Sequence, residues 1–138
     1  MVYLAIVRDA TGIGFGMGKT VLLIEDEPNI IEAVGFILSR DGWRVASHSN
    51  GTDAVEEVRR RMPDAIVLDV MLPGRTGFEV LQELRHDPEL SVIPVLMLTA
   101  RGQAKDREMA ESLGATQFMT KPFSNSEVLE KMRALVAG

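Results

Sequence analysis

The stretch DAIVLDV, residues 64–70, decides the fold class of this 138-residue chain. Its four central residues, Ala65 to Leu68, form a continuous apolar run between two aspartates. A run of this length and composition predicts a strand that is buried on both faces. The runs VLLI (21–24) and VLML (95–98) repeat the pattern. Three such strands in one short chain indicate a parallel sheet with helices on both sides.

Segments with apolar residues at helical spacing alternate with these strands. Ser124 and Glu127 have the spacing of a capping box at the start of the last helix, and Gly114 fits a helix C-cap. The alternation predicts one doubly wound α/β domain, without an internal repeat or a second domain. The predicted strands are 20–25, 43–49, 64–70, 94–100 and 116–121, and the predicted helices are 30–40, 54–62, 78–86, 105–114 and 124–136.

Composition excludes several classes of protein. The chain has no cysteine, so disulfides and thiolate chemistry are excluded. Its net charge of −5 argues against broad nucleic-acid binding, which needs a basic face. No apolar run approaches the roughly 20 residues that span a bilayer, and no secretory signal opens the chain. We therefore expect a cytoplasmic protein.

The glycine-rich stretch GIGFGMGKT, residues 12–20, resembles a phosphate-binding P-loop but fails its pattern. The motif needs a glycine five residues before Gly18, where this chain has Ile13, and a helix after the lysine, where a strand is predicted. We expect residues 1–17 to be a leader, either an expression tag or an upstream extension, and 18–138 to be the domain. In the alternative, VYLAIV (2–7) docks as an extra edge strand or forms a dimer contact.

Polar side chains follow the predicted strands where each one ends. In an open parallel sheet, ligands bind at the carboxyl ends of the strands. Three carboxylates gathered there would repel each other unless a cation intervened, and Mg²⁺ prefers such oxygen ligands. Taken singly, each residue also fits a solvated loop, a turn or a helix cap; only their joint position indicates a site. The residues are Glu25, Asp26, Asp69, Thr99 and Lys121.

The motifs EDE (25–27), VLDVMLPGRTG (67–77), LTA (98–100) and KPF (121–123) resemble those of the receiver domain of bacterial two-component response regulators. The resemblance covers about residues 19 to 137. It implies a flavodoxin-like five-stranded sheet in the order 2-1-3-4-5, and a cis peptide bond between Lys121 and Pro122. It also implies that Asp69 takes a phosphoryl group from a phosphohistidine on a sensor kinase or a phosphotransfer protein.

The resemblance assigns roles to further residues. Mg²⁺ would be bound by Asp26, Asp69 and the Met71 backbone carbonyl, and by Glu25 through water. Thr99 and Lys121 would bind the phosphoryl oxygens. Thr99 and Phe118 would form the switch that remodels the surface of the fourth helix, fifth strand and fifth helix, although Phe118 also fits an ordinary core aromatic. Residues Met71 and Arg101 occupy the positions that tune dephosphorylation, and Met71 implies slow autodephosphorylation.

The LTARG stretch (98–102) and Asp106-Arg107 resemble the branch of the family that carries a winged-helix DNA-binding domain and dimerises on phosphorylation. Two charge pairs could cross such a dimer: Arg107 with Glu127, and Glu111 with Arg133. A third is not expected, because Gln117 stands where an acid would face Lys131. The alternative is that these charges are solvated surface.

Two other functions compete with a signalling module. One is a hydrolase with an aspartyl-phosphate intermediate, which would need an acid two residues after Asp69, where this chain has Met71. The other is an interaction domain that is not phosphorylated. We expect no enzyme activity beyond the protein's own phosphorylation and dephosphorylation, and no direct binding of nucleic acid or membrane.

Overall fold

A five-stranded parallel sheet forms the centre of the protein, with the strands in the order β2-β1-β3-β4-β5. The computed structural model describes residues 14–100 and 104–137. The observed strand order confirms the prediction. The strands are β1 (Thr20–Ile24), β2 (Arg44–His48), β3 (Ala65–Asp69), β4 (Val95–Thr99) and β5 (Gln117–Thr120), and the helices are α1 (Pro28–Arg40), α2 (Ala54–Arg61), α3 (Gly77–His86), α4 (Ala104–Ser112) and α5 (Asn125–Ala137).

Both faces of the sheet are covered by helices, which is why the central strands show no alternation of polar and apolar residues. In β1, Leu22 and Ile24 face the core beneath α2, α3 and α4, whereas Val21 and Leu23 face the core beneath α1 and α5. All four side chains are at most 1% exposed. Burial of both faces removes apolar surface from water on either side of one strand and so stabilises the sheet strongly.

The first turns of the helices carry the start signals that the sequence predicts. Pro28 occupies the first turn of α1, two residues before the predicted start. Thr76 and Glu79 form a reciprocal capping box at the start of α3, and the predicted pair of Ser124 and Glu127 does so before α5. No helix in the described ranges is both long and apolar enough to cross a membrane.

Residues 14–18, which we call the strap, lie against the corner between α1 and β2. The Gly16 N–H donates to the Asp41 carbonyl at 2.7 Å, and the Gly18 N–H donates to the Gly42 carbonyl at 2.8 Å. A Cβ atom at Gly16 would lie 2.6 Å from Cδ1 of Trp43, so only glycine allows this approach. Residues 14–17 of the strap were predicted to belong to a leader outside the domain. In the structure, the strap contacts the domain through these hydrogen bonds. The other leader residues, 1–13, lie outside the described part of the chain.

Candidate functional site

The carboxyl ends of four strands bring the predicted polar residues together. Glu25 follows β1 directly, Asp69 ends β3, Thr99 ends β4, and Lys121 follows β5. The Glu25 N–H donates to the His48 carbonyl at 3.0 Å, so the ladder between β1 and β2 continues to this residue and fixes it. Glu25, Asp69 and Thr99 are no more than 2% exposed. The site is therefore a largely buried polar cluster at one end of an apolar sheet.

The Lys121 ammonium group connects three carboxylates. Its Nζ lies 3.1 Å from Oε1 of Glu25, 3.2 Å from Oε1 of Glu27 and 3.2 Å from Oδ1 of Asp69. The Lys121–Pro122 peptide bond that follows β5 is cis, as expected. One cation shared by three acids leaves an excess of negative charge in the cluster, which a second cation would relieve.

Glu25, Glu27 and Asp69 could hold a divalent metal ion. One carboxylate oxygen of each lies within 4.8 Å of the others. Oδ2 of Asp69 is buried and has no hydrogen-bond partner among the described residues. A buried carboxylate oxygen without a hydrogen-bond partner costs folding free energy. A hard cation such as Mg²⁺ is a suitable partner for it, because Mg²⁺ prefers oxygen ligands. These three residues therefore form a suitable site for the predicted magnesium ion.

Glu27 is a member of this cluster that the sequence analysis missed. The stretch EDE drew attention to all three acids, but roles were assigned only to Glu25 and Asp26. Oε2 of Glu25 accepts the backbone N–H groups of Asp26 and Glu27, both at 3.1 Å, and so fixes the backbone between β1 and α1. Asp26 is exposed, and its carboxylate is not in the close group. Its role as a direct metal ligand stays a prediction.

The charges of the cluster alter the pKa values of its members. Burial is the main cause that raises the pKa of Glu25 from its ordinary value of 4.5 to about 7, and the charge of Asp69 adds to the increase. Burial disfavours the charged form of Lys121, but Asp69 and Glu25 outweigh it and raise the pKa of the ammonium group. When no metal is bound, Glu25 therefore gains a proton as the pH falls through about 7, whereas Lys121 keeps its positive charge.

We expect Glu25→Gln to remove a pH-dependent part of the stability of the metal-free protein. Between its ordinary pKa of 4.5 and about 7, Glu25 binds a proton in the folded protein but not in the unfolded chain. The free energy of unfolding of the metal-free protein must therefore fall by about 2–3 kcal/mol as the pH rises through this range. Glutamine does not titrate, so the variant should lack this decrease.

The measurement is urea unfolding at pH 5 and pH 8 in the presence of a chelator. Glu32→Gln is the matched control, because Glu32 is an exposed glutamate on α1. The same change in unfolding free energy for Glu25→Gln and the wild type would show that Glu25 does not titrate in this range.

The residues of the predicted switch, Thr99 and Phe118, contact β5 and the core. The Thr99 hydroxyl lies 3.4 Å from the Thr120 hydroxyl and 3.5 Å from the Met119 carbonyl, so it is directed towards β5. Phe118 is half-buried against the core beneath α2, α3 and α4. Met71, which is predicted to tune dephosphorylation, has an exposed side chain at the mouth of the site. Arg101 lies outside the described residues.

The residues predicted to contact a second copy have partners within the subunit. Arg107 lies 3.7 Å from Glu111 on α4, and Arg133 lies 3.4 Å from Asp41. The Glu127 side chain takes part in the cap of α5. These contacts neither require nor exclude a dimer, and the two charge pairs between subunits stay predictions.

Comparison with known proteins identifies close relatives. A family model described as the response regulator receiver domain matches residues 21–133. A probable transcriptional regulatory protein of Mycobacterium tuberculosis, TcrX, is 41% identical over 121 residues, which are 88% of this chain and 51% of that protein. The alkaline phosphatase synthesis regulator PhoP of Bacillus subtilis is 39% identical over 120 residues, which are 87% of this chain and 49% of PhoP. The chain thus spans about half the length of these relatives.

Solved structures show the same fold. A putative response regulator from Chloroflexus aurantiacus superposes with a TM-score of 0.84 at 28% identity, over 88% of this chain and 99% of that one. The receiver domain of a Pseudomonas aeruginosa sensor histidine kinase has a TM-score of 0.80 at 29% identity, over 88% and 99% of the two chains. That structure was solved with a magnesium ion coordinated in its active site cleft.

Proposed function

Because the chain belongs to the response regulator receiver domain family, we propose that Asp69 accepts a phosphoryl group from a phosphohistidine on a sensor kinase or phosphotransfer protein. The observation that carries this proposal is the state of Asp69. Its carboxylate is buried, one oxygen faces Lys121 at 3.2 Å, and the other has no hydrogen-bond partner among the described residues. An oxygen without a partner is available to a cation or to an incoming phosphorus atom.

The transfer exchanges one bond to phosphorus for another. A carboxylate oxygen of Asp69 attacks the phosphoryl group, the P–N bond of the donor phosphohistidine breaks, and the imidazole leaves with the electron pair. The Lys121 ammonium group, already placed among the carboxylates, can then bind a phosphoryl oxygen. The Thr99 hydroxyl is the other donor, provided that it turns from β5 towards Asp69. The protein contributes mainly position and charge, as is usual in phosphoryl transfer.

Magnesium is part of the proposal. Glu25, Asp69 and the Met71 carbonyl, with Asp26 or Glu27, would hold the ion, and Mg²⁺ would supply charge neutralisation for the phosphoryl oxygens. The raised pKa of Glu25 means that binding of the metal must displace a proton near and below neutral pH. Affinity for the metal should therefore weaken in acid.

A groove beside Lys121 suits a protein donor. It has a volume of about 450 Å³ and runs between the first turns of α1 and the segment after β5. Its walls include the apolar side chains of Ile30, Ala33 and Phe123, and it reaches Lys121. A helix of a kinase or phosphotransfer protein that packed there would bring its phosphohistidine to the site.

The first test is intact-mass spectrometry after incubation with acetyl phosphate. With Mg²⁺ we expect a single phosphoryl adduct per chain, and with a chelator we expect none. An adduct that forms equally well without Mg²⁺ would contradict the metal's role. If neither acetyl phosphate nor a phosphorylated histidine phosphotransfer protein labelled the folded protein, the proposed function would be wrong.

A signalling module is preferred to a hydrolase because of Met71. Hydrolases with an aspartyl-phosphate intermediate commonly place a second aspartate two residues after the nucleophile, where it serves as acid and base. The exposed thioether of Met71 can serve as neither. It also cannot hold a hydrolytic water by a strong hydrogen bond, so the aspartyl phosphate should be lost slowly. Steady hydrolysis of a simple phosphate ester would instead favour the enzyme.

A further inference from the structure

The ring of Phe118 lies beside two cations that come from different helices. The guanidinium carbon of Arg107 on α4 is 4.3 Å from the ring centroid. The ammonium nitrogen of Lys131 on α5 is 5.5 Å from the same centroid. Both distances are within the range of about 6 Å in which a cation is attracted to an aromatic face. The ring is thus held from α4 and from α5 at once.

We propose that Arg107 and Lys131 form a latch that holds Phe118 in its present, half-buried position and thereby slows phosphorylation of Asp69. This inference rests on the proposed function. Phenylalanine has no hydroxyl group, so no hydrogen bond of its side chain can fix either position of the ring. Apolar contacts with the core and the two cations therefore hold the ring where it lies.

Neither cation has a strong competing partner within the described residues. Arg107 and Glu111 are 3.7 Å apart and both side chains are 61% exposed, so this ion pair contributes little. Lys131 makes no ion pair in the described part of the chain, where its ammonium group instead lies over Phe118. The ring is therefore the principal partner of both side chains.

Two neighbouring strands connect the latch to the phosphorylation site. Phe118 lies in β5 two residues before Thr120, which pairs with Thr99 at the end of β4. The Thr99 hydroxyl is directed towards Thr120 and the Met119 carbonyl, and it makes no hydrogen bond to Asp69 in the described structure. In the switch that the family resemblance implies, Thr99 and Phe118 move together, so the hydroxyl and the ring would both leave their present contacts when Thr99 binds a phosphoryl oxygen. Contacts that hold one of them back oppose the movement of both.

The first experiment tests the geometry without any phosphorylation. A proton held over an aromatic ring resonates upfield, so the δ-methylene protons of Arg107 and the ε-methylene protons of Lys131 should show shifts that disappear in Phe118→Leu. Unshifted resonances in the resting wild-type protein would overturn the latch, whatever the fate of the proposed function.

The second experiment measures the rate of labelling by acetyl phosphate with Mg²⁺. Arg107→Gln/Lys131→Gln should be labelled about five-fold faster than the wild type, which corresponds to about 1 kcal/mol. Lys105→Gln/Arg44→Gln is the matched control, because it removes the same two charges from exposed residues. It should remain near the wild-type rate. In a Phe118→Leu background, the Arg107→Gln/Lys131→Gln change should have no further effect.

The remaining outcomes would contradict either the latch or the proposed function. Equal rates for the latch and control variants, or an acceleration that persists without the ring, would overturn the latch while leaving Asp69 as the acceptor. A wild-type protein that is not labelled at all would overturn the proposed function, and the role of the latch in phosphorylation with it.

Discussion

Asp69→Asn should abolish labelling by acetyl phosphate, with less than about 1% of the wild-type adduct remaining. The amide nitrogen is not a nucleophile towards phosphorus, and its oxygen carries no full charge. The substitution also removes one of the three carboxylates that surround Lys121. Both the proposed acceptor and part of the proposed metal site are therefore lost in one change.

The control for this variant is Asp106→Asn, which changes an aspartate in the first turn of α4, outside the cluster. It should be labelled at the wild-type rate. Circular dichroism would establish that both variants are folded, and hydroxylamine should release the adduct from the wild type, since an acyl phosphate is sensitive to it. Labelling of Asp69→Asn at a rate near that of the wild type would place the acceptor elsewhere in the chain.

A large loss of stability is expected from Gly77→Ala. Gly77 begins α3, and its N–H donates to the Val70 carbonyl at 2.8 Å, so the helix starts directly against the end of β3. A Cβ atom here would lie 2.1 Å from the carbonyl oxygen of Asp69 and 2.9 Å from Cε of Met97. The first of these atoms is backbone and cannot rotate away. We expect a loss of about 3 kcal/mol of unfolding free energy, from overpacking against the backbone of Asp69.

Gly18→Ala separates this steric effect from the general cost of replacing glycine. Gly18 has a φ of +83°, but a methyl group added there would meet no atom within 4 Å, so only the conformational cost, about 1 kcal/mol, should appear. Urea unfolding of both variants provides the comparison. If Gly77→Ala were no less stable than Gly18→Ala, the close packing of α3 on β3 would not be a requirement of the fold.

The fold could be predicted from sequence because its main signals are local. Apolar runs such as VLLI and AIVL, with a helical pattern between them, are sufficient to predict a doubly wound sheet. The positions of Asp69 and Thr99 then follow from the rule that polar residues at strand ends meet at one edge. The apolar spacing and the Ser124–Glu127 pair placed the helices to within two residues.

The direction of individual side chains could not be predicted in this way. Whether Asp26 or Glu27 faces Asp69 depends on the backbone path that the Glu25 side chain fixes through two backbone N–H groups, and this path has no separate sequence signal. In the same way, Arg107 and Lys131 were considered only for contacts with a second copy. Their approach to Phe118 depends on how α4 and α5 pack against β5, which is a tertiary property.

The contact between the strap and Trp43 has a practical optical consequence. Trp43 is the single tryptophan of the chain, and it is fully buried where Gly16 passes over it. Its emission wavelength and its quenching by acrylamide therefore report whether the strap is attached, with no label required. A shortened protein that began at Met17 would lack Gly16 and leave this indole without its cover. Fluorescence can thus show whether the strap is part of the folded unit.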